Sequence, residues 1–219
     1  MKRDYGNTER DFLLSFTQFE GKRVLEIGCG NGYYTEMIAP FAREVVALEP
    51  DKKDIAIAIE KLSNYGDKVK FLLGKTEGLI HGLKRDFDII LFSYSLHHHD
   101  CPLRVIKDTA NKLQAGGWII IVEPRADGQF CQLLSSFHDE SEVLEVADTD
   151  IQNVFTTTKF SVGIKVDWLF NDKAELREFL DVKSKGVLSE SDIELLVADF
   201  PENEIIIKDK VIFWRLQRR

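Results

Sequence analysis

Short apolar runs alternate with amphipathic stretches through the first half of the chain. Residues 24–27, 44–49, 69–73, 87–93 and 118–122 are compact runs of buried character, and each is expected to be a strand. Between them apolar residues recur at helical spacing. Residues 33–39 form one helix closed by Pro40; Ile55, Ile59 and Leu62 mark a second; Leu103, Ile106, Ala110 and Leu113 mark a third, opened by Pro102 and stopped by Gly116 and Gly117. Phe12, Phe16 and Phe19 give the chain an opening helix, with Thr8 and Asp11 spaced as a capping box. This alternation builds an α/β fold: a doubly wound, mostly parallel sheet with helices on both faces and its ligand site at the carboxyl ends of the strands.

Beyond residue 124 the rhythm changes. Phe130, Leu133, Leu134 and Phe137 fit one amphipathic helix, and Val143, Val146, Ile151 and Val154 a second, ahead of a threonine run at 156–158. Residues 164–170 alternate like a strand. Ser189 with Asp192 predicts a capped helix carrying Ile193, Leu196, Val197 and Phe200, and residues 205–207 and 211–216 end the pattern as strands. Which of these last three strands pair with one another is left open. Arg215, Arg218 and Arg219 read as a solubilising tail.

Composition narrows the class. A chain of 219 residues, 44% hydrophobic and 30% charged, can bury one sizeable core, so a single domain over 1–219 is expected. A net charge of −8 disfavours bulk attraction to nucleic acid or to an anionic membrane. Three cysteines at irregular spacing make neither a disulfide framework nor a paired metal motif, and a cytoplasmic location is the expectation. No apolar run approaches a membrane span, and the charged first residues are unlike a signal peptide.

Candidate chemistry begins where the first strand ends. In VLEIGCGNG, Gly28, Gly30 and Gly32 follow the apolar run and precede a helix, which lets a ligand approach the backbone and meet helix amides. The second strand finishes on Glu49, 49 − 28 = 21 residues after Gly28, close to the spacing between a nucleoside-binding glycine turn and the carboxylate that grips ribose hydroxyls. The competing reading of Glu49 is a solvated strand end. A dinucleotide fingerprint is not matched, because Tyr33 stands where its third glycine belongs.

Four motifs in order, VLEIGCGNG (24–32), VVALEPD (45–51), FDIILFSYSLHH (87–98) and LQAGGWIIIVEP (113–124), resemble the class I S-adenosylmethionine-dependent methyltransferases, in particular their small-molecule group. The resemblance covers about half of the chain. It implies a Rossmann-like, seven-stranded sheet with an antiparallel edge and a helical insertion after the fifth strand, at 125–163. It also implies roles. Glu26 and the loop of Gly28, Gly30, Asn31 and Gly32 would hold the methionine portion, Glu49 the ribose, Pro50 the adenine side; Lys75, Thr76 and Glu77 would border the adenine, and Ser93 would face the cofactor. One departure stands out: Lys75 replaces an aspartate common in that adenine loop and has no acceptor to offer.

The run His97-His98-His99 lies at the mouth of the implied site. Three consecutive imidazoles are expected to diverge, which argues against one tetrahedral metal, so no metal is assigned. His98 or His97 is the candidate general base, the alternative being histidines that only pack in the loop. Cys29 and Cys101 are not expected to be nucleophiles. The N-terminal 1–20 segment is either a packed helix or a lid, and the insertion a lid over the acceptor. Its acidic residues, Asp139, Glu140, Glu142, Glu145, Asp148 and Asp150, read as a solvated face before a cationic-acceptor site. The implied function is methyl transfer from S-adenosylmethionine to an O, N, S or C nucleophile of a small molecule, leaving S-adenosylhomocysteine. The alternatives are a non-catalytic cofactor-binding or regulatory module with a protein partner, and a protein or RNA methyltransferase. A homodimer is compatible with all three.

Overall fold

A computed structural model describes residues 1–84, 86–154 and 159–217; the threonine run at 156–158, Arg218 and Arg219 lie outside the described residues. The elements run α1 (Thr8–Phe16), β1 (Arg23–Ile27), α2 (Tyr33–Ile38), β2 (Glu44–Glu49), α3 (Lys52–Lys61), β3 (Val69–Leu73), α4 (Thr76–Leu79), β4 (Phe87–Ser93), α5 (Pro102–Ala110), β5 (Leu113–Pro124), α6 (Gln129–Leu134), α7 (Ser141–Val154), β6 (Lys159–Asp172), α8 (Lys173–Ser184), α9 (Glu190–Val197) and β7 (Asn203–Gln217). The seven-stranded mixed sheet has the order β3-β2-β1-β4-β5-β7-β6, with β7 antiparallel. The first five strands pair in parallel. β1 therefore lies between β2 and β4, at the switch point where the chain reverses its winding and where such sheets bind ligands.

The chain packs into two compact units: one of Leu13–Glu123, Val146–Val162 and Ile212–Arg219, the other of Met1–Phe12, Pro124–Glu145 and Gly163–Val211. Within the first, Leu25, Ile27, Leu48, Ile90, Phe92, Ile119 and Ile121 are fully buried on the parallel strands, flanked by Val105, Ile106, Ala147 and Ile151 from α5 and α7. Burying such side chains contributes roughly 1.5–3 kcal/mol each before conformational entropy is charged against it. The second unit has its own core, in which Phe130, Trp168, Phe170, Leu176, Leu180, Ile193, Val197, Ile205 and Ile207 pack together.

Several sequence expectations are corrected. Thr8 and Asp11 do not cap α1; the Asp4 carboxylate does, accepting from the amides of Glu9 at 2.9 Å and Arg10 at 3.0 Å. On α3 the buried stripe is Ile55, Ala58 and Leu62, while Ile59 is 50% exposed. Helix α5 stops at Ala110, and Leu113 begins β5 instead of continuing the helix, because Leu113 already pairs with Phe87 before a register shift across the glycine pair. On α7 the buried face is Leu144, Ala147 and Ile151, leaving Val143 and Val146 to solvent. The segments 205–207 and 211–216 are one continuous strand, β7, so the edge pair is β6 with β7. Helix α8 has no counterpart among the sequence expectations, although Asp172 caps it by accepting from the Glu175 amide at 2.8 Å. The Ser189–Asp192 capping box forms as expected on α9.

Candidate functional site

The site residues inside the first unit converge because β1, β2 and β4 end side by side. After Ile27 the backbone turns up at Gly28, φ +70°, a left-handed conformation that costs glycine little. A Cβ there would lie 2.4 Å from Cβ of Ser95, so the position requires the absence of a side chain as well as the torsion. Ser95 in turn donates to the Ile27 carbonyl at 2.6 Å, and the Ser93 hydroxyl oxygen lies 3.3 Å from the Gly28 carbonyl. Two hydroxyls from the end of β4 thus fix the start of the loop.

Gly30 also has positive φ, but a Cβ there would meet nothing within 4 Å. Its amide donates to Oε2 of Glu49 at 2.8 Å, and the other carboxylate oxygen accepts from the Asp51 amide at 2.9 Å. Each oxygen keeps further acceptor capacity. The amide of Gly74, after β3, donates to the Glu49 carbonyl at 2.9 Å. Loop, carboxylate and the third-strand turn are therefore held by one residue. Open space over Gly30 beside a carboxylate with spare lone pairs is what a nucleoside-bearing cofactor requires, and these residues fit it. Asn31 and Pro50 are exposed.

Glu26, the sequence candidate for the methionine portion, lies on β1 two residues before Gly28. It is fully buried, with Thr35 Oγ1 donating to Oε2 at 2.6 Å and Ser93 Oγ to Oε1 at 2.9 Å. Burial, only partly offset by those two hydroxyls, pushes its carboxyl up to about 7. The carboxyl orients Ser93 and the first turn of α2. Cys29 is buried, and desolvation, then the nearby charges of Glu26 and Glu49, push its thiol well above the ordinary thiol range, which fits small-residue packing.

In the adenine-loop candidates, Thr76 is buried while Lys75 and Glu77 are exposed. Desolvation works to raise the Glu77 carboxyl, but a backbone hydrogen bond, a bond with His99 at 2.8 Å and the charge of Lys75 outweigh it and hold the group below its usual range. The expected divergence of the histidines is only partly met. His99 turns to Glu77, yet His97 and His98 lie with ring centroids 4.0 Å apart. His98 is exposed; His97 is 5% exposed, and its Nδ1 meets the buried Glu123 carboxylate.

Three features carry no clear signal in the sequence. Glu123 is visible there only as a letter of the fifth-strand motif. Tyr94 is a non-glycine residue at φ +53° immediately after Ser93, a costly torsion of the kind that collects at ligand sites, and nothing in the sequence marks it. Tyr34, buried beside it, has its ring 6.1 Å from that of Tyr94. Part of the acidity of the insertion is structural: Asp150 accepts from the Leu103 amide at 3.1 Å and so caps α5, and Asp139 accepts from the Ser141 amide at 3.0 Å.

Comparison with known proteins gives a match of residues 3–162 to a family model described as a methyltransferase domain. A ubiquinone biosynthesis O-methyltransferase of Nitrosospira multiformis is 27% identical over 108 residues, 49% of this chain and 45% of that protein. An uncharacterized methyltransferase, YcgJ, of Bacillus subtilis is 26% identical over 145 residues, 64% of this chain and 57% of its own. The chain spans about half the length of the curated relatives it matches. The crystal structure of YcgJ superposes with a TM-score of 0.66 at 17% identity, covering 96% of this chain and 97% of that one. A Haemonchus contortus N-methyltransferase in complex with S-adenosylhomocysteine gives 0.63 at 16% identity, covering 100% and 54%. At these identities the structural likenesses speak for the fold.

Proposed function

The chain belongs to the methyltransferase domain family, whose members use S-adenosylmethionine, and from that premise we propose that it is an S-adenosylmethionine-dependent methyltransferase acting on a small molecule. The observation that carries the reading is the Glu49 carboxylate closed onto the Gly30 amide beneath open space. Glu49 would take the ribose hydroxyls, a two-oxygen acceptor for two donors. The Gly28–Gly32 backbone would hold the amino-acid end, with Ser93 and Glu26 keeping that backbone in register. Pro50, Lys75, Thr76 and Glu77 would border the base, and because Lys75 offers no acceptor its recognition would rest on backbone groups or on Glu77.

When bound, the cofactor supplies a methyl group already activated by its sulfonium. What remains for the protein is to align the acceptor in line with that methyl, exclude water, and remove a proton where the acceptor carries one. The acceptor atom is an O, N, S or C nucleophile; the O-methyltransferases among the relatives put oxygen first. The protein, incubated with methyl-labelled S-adenosylmethionine and a panel of small phenols, alcohols and amines, should transfer label to at least one class. Tight binding of the product without transfer to any of them would favour a non-catalytic module, and absence of both would overturn the reading.

A further inference from the structure

A short chain of polar atoms links the fully buried Glu26 carboxyl of β1 to the glycine loop. The Ser93 hydroxyl, at the end of β4, lies 2.9 Å from Oε1 of Glu26 and 3.3 Å from the Gly28 carbonyl. It has one hydrogen and two acceptors to choose between. Against an ionised Glu26 that hydrogen points at the carboxylate. Once Oε1 is protonated, the carboxyl donates to the Ser93 oxygen and the Ser93 hydrogen turns to Gly28. On the other side Thr35 of α2 donates to Oε2 at 2.6 Å. The charge on Glu26 therefore sets how β4 is tied to the first residue of the loop.

Charge at the loop is also felt at Glu26. Glu49 of β2 accepts from the Gly30 amide at 2.8 Å, and its negative charge acts on Glu26 in the same direction as burial. Cys29, within the loop, has its thiol pushed up by burial and then by Glu26 and Glu49. From α2 and β4 the groups that meet Glu26 are the hydroxyls of Thr35 and Ser93. A cation seated on the loop acts on Glu26 with the sign opposite to that of Glu49 and favours its ionised form. S-adenosylmethionine carries a sulfonium that S-adenosylhomocysteine lacks.

We infer that Glu26 is a proton-linked selector of the cofactor: its ionised form favours S-adenosylmethionine over S-adenosylhomocysteine, and its protonated form gives that preference up. The selection concerns the cofactor of the methyltransferase reading above and rests on that reading. Binding of the cationic ligand to the protonated form releases the Glu26 proton to solvent. With the carboxyl raised to about 7, the preference is present above that pH and lost as pH falls through it. Acidification thus weakens the hold on fresh cofactor relative to spent product.

Calorimetry of both ligands from about pH 5.5 to about pH 8, in wild type and Glu26→Gln, tests this linkage together with carboxyl-carbon shifts of glutamate-labelled protein. Glutamine offers the two hydroxyls one acceptor and one donor, as the protonated acid does. The ligand-free wild type should show a glutamate midpoint near 7 that is missing from Glu26→Gln. That midpoint should fall about one pH unit further with S-adenosylmethionine than with S-adenosylhomocysteine. By reciprocity the preference for S-adenosylmethionine should rise about tenfold from the acid to the alkaline end, read against Glu26→Gln to cancel titration of the ligands themselves. Thr35→Val keeps the carboxyl and deletes one donor, so it should move the midpoint and the step in preference upward together. A preference that does not change with pH, a change that Glu26→Gln reproduces, or a midpoint and step that Thr35→Val leaves in place overturns the inference. Binding of neither ligand by the wild type removes the methyltransferase reading, and the selector with it.

Discussion

Each compact unit buries a carboxylate, and the two are solved differently. In the parallel-sheet unit Glu26 is fully buried and both oxygens accept from hydroxyls, Thr35 and Ser93, that belong to the glycine-loop machinery. In the other unit Asp209 is 1% exposed, its Oδ1 has no hydrogen-bond partner among the described residues, and Gly128 packs so closely that a Cβ there would lie 2.0 Å from it. Burial pushes the Asp209 carboxyl up to about 6, with the Lys210 and Phe130 amides offsetting part of the cost. The difference is instructive. Burial of charge in the first unit organises a site, whereas in the second it ties a helix start to a strand.

The largest effect expected from this comparison comes from its two crowded glycines. Gly28→Ala places a methyl against Ser95 at positive φ and should abolish detectable S-adenosylhomocysteine binding, seen by calorimetry. Gly128→Ala should lower the melting temperature by several degrees while the folded fraction keeps its affinity. Equal loss of binding in both would erase the distinction drawn between the units.

Next in size is the pH dependence of stability. The Glu26 carboxyl is raised from 4.5 to about 7 on folding, so between those values the folded state holds a proton that the unfolded state has released, and stability falls as pH rises through that window. The contribution is on the order of 3 kcal/mol, since each tenfold change in proton affinity is worth about 1.4 kcal/mol. Glu26→Gln should flatten the urea-unfolding profile across this window. Asp209→Asn should flatten a lower one, from 3.8 to about 6. Parallel profiles for wild type and both variants would contradict the assignment. The smallest expected effect is Asp4→Ala, which removes the cap of α1 and should cost about 1 kcal/mol in the same assay.

Much of the first unit is legible in the sequence because its signals are local. Apolar runs give β1 to β4 at their observed bounds or within a residue, and the loop and Glu49 are read by spacing alone. What stays hidden depends on residues far apart in the chain. Asp4 captures the start of α1 in place of Thr8, Glu123 reaches back 26 residues to His97, and Ser95 dictates Gly28 from 67 positions away (95 − 28). Helix α8 is a different case: Asp172 with Glu175, and Leu176 with Leu180, carry its signature, and the dense charge of the segment hides it.

The glycine loop and Glu49 are proposed to form one preformed cofactor grip, and isothermal calorimetry of S-adenosylhomocysteine against wild type and Glu49→Ala tests this most directly. The wild type should show saturable one-site binding and the variant a loss of roughly 10- to 100-fold, the size of losing charge-assisted hydrogen bonds. Equal affinity of the two proteins, or no binding by the wild type at high micromolar ligand, would contradict it.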